Sequence, residues 1–219
     1  QGASDSIAEI ISDNSDFRGK IRKNTFFTGQ ITSKAKDKDI STEYDVYYNY
    51  IYALADALVK EFGKEEVLKW RFGVMTEYEN WDWFRTASEE PEDAAREYCK
   101  LYDYTVQALI DAIGEDVFVG AHSMTVTEGH WDESEFIEHI AKGTNYANGK
   151  TGTRVCFLSA SFYDYSPEEY TEGFTLPQTI DFLRSTAESY GLNDLIYGVD
   201  EGRFLVGLEA GKDNDELLS

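Results

Sequence analysis

Short apolar runs alternate with amphipathic helical patterns along most of this chain, and that alternation limits the possible folds more than any other feature. The strand-like runs lie at residues 67–75, 117–120, 154–162 and 195–199. Such alternation predicts a parallel sheet with helical crossovers. Right-handed crossovers place the carboxyl ends of all strands at one rim of the sheet. The pattern fits either an open doubly wound sheet or a (β/α)8 barrel, and no strand is followed by a glycine-rich phosphate loop, which favours the barrel.

The helices between these runs have recognisable ends and apolar faces. One is predicted over 43–62, and it ends at Gly63. Its apolar face is expected to hold Tyr50, Leu54, Leu58 and Phe62 at every fourth position, flanked by Val46, Tyr47 and Ile51. A second is predicted over 91–113, with Pro91 in its first turn. Its buried face is expected to hold Tyr98, Leu101, Tyr102, Thr105, Leu109 and Ile113. Shorter helices are predicted at 134–142 and 177–190, and a short helix at Ile7–Ile11, a strand within 20–29 and a charged loop at 31–42 precede them.

Composition excludes several classes of function. The chain has 219 residues and a net charge of −22, so it lacks the basic clusters that nucleic acid requires and is repelled by anionic membranes. Its two cysteines, Cys99 and Cys156, are predicted to be buried free thiols. The three histidines have no spacing typical of a metal site. The length predicts a single domain, residues 1–219.

The sequence does not determine the cellular compartment of the protein. No secretory pattern or long apolar span is visible in the sequence. The start at Gln1 indicates a chain that was processed or cut from a longer one, so a secreted and a cytoplasmic location both fit.

Two glutamates follow strand-like runs and are the strongest candidates for chemistry. Glu77 comes after the run at 67–75, and Glu201 comes after the run at 195–199. In a parallel sheet both carboxylates fall on the same rim, and a pair of carboxylates facing one cleft is the working part of most glycoside hydrolases. Glu79 is a rival acid within the first loop.

Other side chains near the predicted rim are candidates for substrate contact, each with a structural alternative. Trp81 and Trp83 fit stacking on sugar rings, or pinning their loop to the sheet. Two roles suit Arg203: it holds the Glu201 carboxylate in its ionised form, or it forms a purely structural ion pair. His122 fits substrate contact or a solvated histidine. A further strand end carries Tyr163, Asp164 and Tyr165.

Several stretches resemble glycoside hydrolase family 39, the β-xylosidase and α-L-iduronidase family. They are EFGKEEVLKWRF at 61–72, YCKLY at 98–102, CFLS at 156–159 and IYGVDE at 196–201. The resemblance extends over roughly residues 24 to 205, where the order and spacing of several elements match. It implies a (β/α)8 barrel, a carbohydrate substrate, no cofactor and cleavage of a glycosidic bond with retention of configuration.

The resemblance also implies roles for individual residues. Glu77 stands where the family has the acid/base of an Asn-Glu-Pro motif, and Glu201 stands where it has the nucleophile at the end of strand seven. Thr76 replaces the asparagine that binds the sugar 2-hydroxyl, and Tyr78 replaces the proline. Ser161 replaces a histidine of strand six.

The length departs from the family, because a full barrel needs about 250 residues. The matched elements correspond to strands three to seven, so a second chain or a missing segment would have to complete the barrel. The changes at Thr76 and Ser161 leave a second hypothesis open, a non-catalytic carbohydrate-binding or scaffold relative. A third hypothesis is an acidic partner chain that folds only within a complex.

Overall fold

A computed structural model describes residues 40–81, 83, 84, 86, 88, 90–126, 129–163 and 175–203. Numbered in chain order, its elements are α1 (Ile40–Phe62), α2 (Lys64–Val67), β1 (Arg71–Val74), α3 (Pro91–Ile113), β2 (Phe118–Met124), α4 (Glu133–Lys142), β3 (Phe157–Tyr163), α5 (Leu176–Ser189) and β4 (Ile196–Arg203). The four strands form one parallel sheet in the order β1-β2-β3-β4. The predicted α/β fold with helical crossovers is therefore confirmed.

One face of the sheet is part of the main core. Val119, Ala121, Leu158 and Ala160 are fully buried there, together with side chains from α3 and α5. The opposite face carries smaller and more polar residues, among them Gly73, His122, Ser159 and Asp200, which line an open cavity of about 370 Å³. The apolar face thus anchors the sheet to the helices, and the polar face bears the side chains that form hydrogen bonds between strands.

Helix α3 anchors the loop that follows β1. It begins at Pro91, with Glu92 and Asp93 in its first turn, where the positive end of the helix dipole favours acidic side chains. All six residues predicted for its buried face are buried. Tyr98 at the centre of that face stacks on Tyr78 at a ring-centroid distance of 3.6 Å. Its hydroxyl donates to the Val74 carbonyl at 2.9 Å, so the helix supports the end of β1 directly.

The predicted strand over 67–75 is wrong in its first half. Residues Lys64–Val67 form a helical turn and β1 covers only Arg71–Val74. Gly63 has φ +84° and reverses the chain after α1, and its carbonyl accepts the amides of Glu66 and Val67, which closes the turn. The burial of Val67 comes from this turn and not from a strand.

The predicted apolar stripe of α1 is confirmed in part. The buried residues include three that were predicted for this face, Tyr47, Tyr50 and Ile51, and two that were not, Tyr44 and Ala55. Phe62, the last residue of the predicted series, is 45% exposed. Residues 40–42, predicted as loop, are helical. The core-facing stripe therefore begins earlier than predicted and does not extend to Phe62.

Strands β2, β3 and β4 are shifted toward the rim relative to prediction. His122 and Glu201 lie within β2 and β4 and not beyond their ends, and β3 begins at Phe157 and not at 154. Strand β4 is only half-buried, with Ile196 46% exposed, because within the described residues it pairs on one side only. Cys99 is buried as predicted, but Cys156 precedes β3 and is half-buried.

Some predictions fall outside the described residues. They are the helix near Ile7–Ile11, the strand within 20–29, and the substrate candidates Asp164 and Tyr165. Among the helices that the structure does describe, none combines the length and apolar character needed to cross a membrane.

Candidate active site

The chain leaves β1 through a strained turn that presents Glu77. Met75 and Glu77 have φ angles of +57° and +43°, in the left-handed region that residues other than glycine rarely adopt. The Glu77 amide donates to the Ser123 carbonyl of β2 at 2.9 Å, which fixes the turn against the neighbouring strand. Backbone held in such regions is characteristic of functional sites.

The carboxylate of Glu77 is 9% exposed and is held by two donors. Ser161 Oγ on β3 donates to Oε1 at 2.6 Å, and Asn80 Nδ2 donates to Oε2 at 3.3 Å. Because these donors come from a strand and from the same loop, the carboxylate has a defined orientation at the rim of the sheet.

The carboxylate of Glu201 lies at the same rim. Thr76 Oγ1 donates to its Oε2 at 2.8 Å, and the Tyr163 hydroxyl donates to its Oε1 at 3.1 Å. Glu201 also pairs with Ser161 in the ladder between β3 and β4. Glu201 is therefore hydrogen-bonded to Thr76, the residue before Glu77. Glu77 in turn is hydrogen-bonded to Ser161, the strand partner of Glu201. The structure brings together Glu77, Glu201, Thr76, Ser161 and Tyr163.

An irregularity in β4 turns two consecutive acidic residues toward one face. Val199 pairs with Ala160 and Glu201 with Ser161, which leaves Asp200 as an extra residue on β4. Asp200 nevertheless contacts Ser159, two positions before Ser161 on the same face of β3. A β-bulge of this kind re-aims side chains and recurs next to active sites.

Asp200 connects three strands beside Glu201. It accepts hydrogen bonds from Ser123 Oγ at 2.8 Å and from the Ser123 amide at 3.1 Å. It also forms a hydrogen bond with His122 Nδ1 at 2.5 Å. Sequence reasoning missed Asp200, Ser123 and Ser159, as well as Asn80. The serines at alternate positions of an otherwise apolar strand were a signal that could have revealed the polar face of β3.

The aromatic residues after Glu77 have different surroundings. Trp81 packs on the His130 ring at a centroid distance of 4.4 Å, and Phe84 is buried against Tyr98. Trp83 is 47% exposed. The backbone of Arg203 pairs with Tyr163 at the end of β4. Phe84 thus pins the loop, and Trp83 presents its ring to solvent.

Glu79 differs from the two rim glutamates because it is fully buried. Its Oε1 accepts hydrogen bonds from the backbone amides of Thr125 and Val126, in the loop after β2. Burial, and secondarily the nearby Glu133, raises the pKa of Glu79 to about 8. Glu79, the alternative acid considered from the sequence, thus lies inside the protein and joins its own loop to the loop after β2.

The part of the chain that the structure describes contains no group of three or more His, Cys, Asp or Glu side chains able to hold a metal ion. The arrangement at the rim is instead two carboxylates in a frame of hydroxyl and amide donors.

Comparison with known proteins identifies the family. Residues 21–187 match the family model for glycosyl hydrolases family 39. The chain belongs to this family. Glu77 lies inside the matched residues, and Glu201 lies beyond them. No curated protein matches the chain.

A solved structure supports the fold. It is a bacterial orthologue of human α-L-iduronidase, described as catalytically competent without N-glycan modification. The match has a TM-score of 0.55 and 16% sequence identity, and covers 74% of this chain and 27% of that one. The described sheet is therefore part of a (β/α)8 barrel, and the chain spans 27% of the length of this family 39 relative.

Proposed function

We propose that this chain supplies the catalytic pair of a retaining glycoside hydrolase, with Glu201 as nucleophile and Glu77 as acid/base. The observation that carries the proposal is the reciprocal contact at the rim. Thr76, next to Glu77, donates to Glu201, and Ser161, paired with Glu201, donates to Glu77. Family membership supports the same assignment of activity.

The reaction needs two carboxyl groups about 5–5.5 Å apart on either side of the anomeric carbon. Glu201 attacks that carbon while Glu77 gives its proton to the departing glycosidic oxygen, and a glycosyl-enzyme forms. Glu77, now ionised, takes a proton from water, whose oxygen attacks the anomeric carbon. Glu201 leaves, and the product keeps the configuration of the substrate.

The surrounding donors prepare both groups for these steps. Thr76 and Tyr163 each bind one oxygen of Glu201, which orients the carboxylate for attack. Ser161 and Asn80 do the same for Glu77. Catalytic groups contribute most when their positions are set before the substrate binds.

The substrate class that fits is a carbohydrate, as an oligosaccharide or a polysaccharide. The exposed ring of Trp83, next to the loop of Glu77, offers an apolar surface for the C–H face of a sugar. The reaction itself requires no cofactor. Since the described sheet has four strands, a second chain or a further segment of the same protein would complete the barrel around the sugar.

A non-catalytic carbohydrate-binding relative is the second candidate. The observation that favours it is the use of Thr76 and Ser161, both departures from the family pattern, as hydrogen-bond donors to the two carboxylates. In this alternative the rim binds a sugar and no bond is broken.

Covalent labelling separates the two candidates. The full protein is incubated with a panel of 2-deoxy-2-fluoroglycosyl fluorides and digested for mass spectrometry. We expect a stable adduct on Glu201, no adduct and no turnover in Glu201→Gln, and normal labelling in Glu115→Gln, an exposed control far along the chain. Glycan binding without label or hydrolysis would support the non-catalytic candidate, and wild-type turnover by Glu201→Gln would refute the assignment.

The acid/base role has its own kinetic signature. In Glu77→Gln we expect kcat to fall by about 10²–10⁴-fold for substrates with poor leaving groups. Substrates with activated leaving groups need little protonation, so their glycosyl-enzyme should still form. Equal losses for both substrate types would argue against Glu77 as the proton donor.

A further inference from the structure

Among the described residues, three hydrogen-bonded ties join the loop that carries Glu77 to the end of β2 and to the loop that follows it. The Glu77 amide donates to the Ser123 carbonyl at 2.9 Å, and the His130 amide donates to the Glu79 carbonyl at 2.6 Å. The third tie is the Glu79 carboxyl, whose Oε1 accepts the amides of Thr125 and Val126. Of these hydrogen-bonded ties, only the third uses a side chain. It is therefore the hydrogen-bonded contact that substitution or protonation can change.

The side chain of Glu79 is enclosed by its neighbours. It has no exposed surface. A Cβ built on Gly129 would lie 2.4 Å from Glu79 Cγ, so the second loop passes directly over the glutamate and needs a glycine there. This close fit holds the carboxyl between the two loops. The side chain has little space to move away from the amides of Thr125 and Val126.

The two oxygens of the Glu79 carboxyl have unequal surroundings. Oε1 takes both backbone amides, whereas Oε2 accepts no hydrogen bond from any residue that the structure describes. Among the described residues, the titratable groups facing Glu79 are Glu133 at the start of α4, Tyr78 in its own loop and Tyr98 on α3, and His130 in the covering loop bonds the Glu79 carbonyl through its amide. An acidic residue and two phenols do not compensate a negative charge, so this position suits a neutral carboxyl.

We infer that Glu79 is a positioning residue whose neutral carboxyl clamps the loop of Glu77 to the loop after β2, and that loss of its proton loosens this clamp. The clamp comprises Glu79, Thr125 and Val126. Its existence is independent of the proposed function, and its effect on catalysis rests on that function. Because Glu79 is two residues from Glu77, loosening the clamp displaces the acid/base without removing any group that touches substrate.

The clamp makes stability depend on pH with a definite sign. The pKa of Glu79 is raised from an ordinary value of 4.5 to about 8 in the folded protein. A group raised in this way contributes stability that is fully present below pH 4.5 and is lost as the pH rises through 8, because the folded state binds the extra proton. The clamp is therefore most stable in acidic solution, weakens as the pH rises from 4.5 to about 8, and is weakest above pH 8.

Hydrogen–deuterium exchange measures the clamp directly, at the amides of Thr125 and Val126 in the full protein between about pH 6 and 9. Two substitutions bracket the wild type. Glu79→Gln keeps an acceptor oxygen and the shape of a neutral carboxyl, and Glu79→Leu removes the acceptor. Glu115→Gln, on an exposed residue, is the matched control for loss of a glutamate charge.

We expect the protection factors of both amides to fall by about tenfold or more in Glu79→Leu, and in the wild type as the pH rises from 6 to 8, with no further fall above pH 8. Glu79→Gln should keep at least the wild-type protection at pH 6 and lose none up to about pH 9. If Glu79→Leu does not fold, the comparison of wild type with Glu79→Gln decides alone. Identical pH dependence of protection in these two proteins would overturn the inference.

Activity then separates failure of the clamp from failure of the proposed function. If both hold, kcat of the wild type shows an alkaline limb near pH 8 that is absent in Glu79→Gln, with KM little changed. Exchange as expected without hydrolysis by any variant supports the clamp and refutes the proposed function. Hydrolysis with the same alkaline limb in wild type and Glu79→Gln refutes the clamp and leaves the function standing.

Discussion

At the scale of single residues, a buried carboxylate far from the rim illustrates how this chain satisfies its many acidic groups. Asp103 on α3 is fully buried. Its Oδ1 accepts from Thr153 Oγ1 at 2.5 Å, and its Oδ2 accepts from the Tyr146 amide at 2.8 Å. His139 Nε2 on α4 lies 2.9 Å from the same Oδ2. The carboxylate thus joins two helices to the turn before β3.

Removal of the Asp103 carboxylate should be among the most damaging single changes. Asp103→Ala leaves one buried and two partly buried polar groups without their acceptor, so we expect the free energy of unfolding to fall by about 3–5 kcal/mol. Urea denaturation followed by circular dichroism measures this loss. The control is Asp181→Ala, whose side chain is 72% exposed in a surface ion pair with Arg184, where the expected loss is about 0–1 kcal/mol. Equal losses in the two variants would contradict this account.

At the scale of elements, the pairing of β2 with β3 depends on the absence of a side chain at Gly120. A Cβ on Gly120 would lie 2.2 Å from the Phe157 carbonyl oxygen. Gly120 and Phe157 are partners in the ladder, and Phe118 stacks on Phe157 at a centroid distance of 5.7 Å. The strands therefore approach in a way that only glycine allows. This pairing positions Ser123 and Ser159 for their contacts with Asp200.

Two glycine substitutions test this dependence. Gly120→Ala should force β2 and β3 apart, and we expect it to destabilise the protein by about 1–3 kcal/mol. The matched control is Gly198→Ala on β4, where an added Cβ meets no atom within 4 Å. There the lower backbone entropy of alanine in the unfolded chain should leave stability unchanged or slightly higher. Thermal unfolding of both variants checks the difference, and a loss of similar size in Gly198→Ala would show that the contact at Gly120 is not the cause.

At the scale of the whole molecule, charge is the dominant feature. There are 42 acidic against 20 basic side chains, and the net charge is −22. Mutual repulsion of like charges opposes the compact state, and salt screens this repulsion over a Debye length of about 10 Å at 0.1 M. The surface ion pairs of the described helices, such as Lys142 with Glu138, offset only a small part of it.

This imbalance predicts that salt stabilises the protein. We expect Tm to rise by several degrees between about 0.02 and 0.3 M NaCl, because the compact state gains more from screening than the expanded chain does. Differential scanning calorimetry at fixed pH measures the shift, and KCl in place of NaCl controls for specific ion binding. A Tm that stays constant or falls over this range would show that self-repulsion does not limit stability.

The sequence by itself determined the elements and their order. Helix α3 was predicted with its observed bounds because Pro91, the apolar period and Gly114 are local signals. Glu77 and Glu201 were singled out because carboxyl ends of parallel strands share one rim, which follows from chain direction alone. The bounds failed at Val67, where the apolar run indicated a strand but the chain forms a helical turn closed by the Gly63 carbonyl.

Only the tertiary structure decided which side chains meet. The contacts of Thr76 with Glu201 and of Ser161 with Glu77 join residues that are 125 and 84 positions apart. They depend on strand register, and a register shift of one residue would turn these side chains away from each other. The extra residue at Asp200 and the complete burial of Glu79 arise in the same way, from how strands and loops pack in three dimensions and not from any local pattern in the chain.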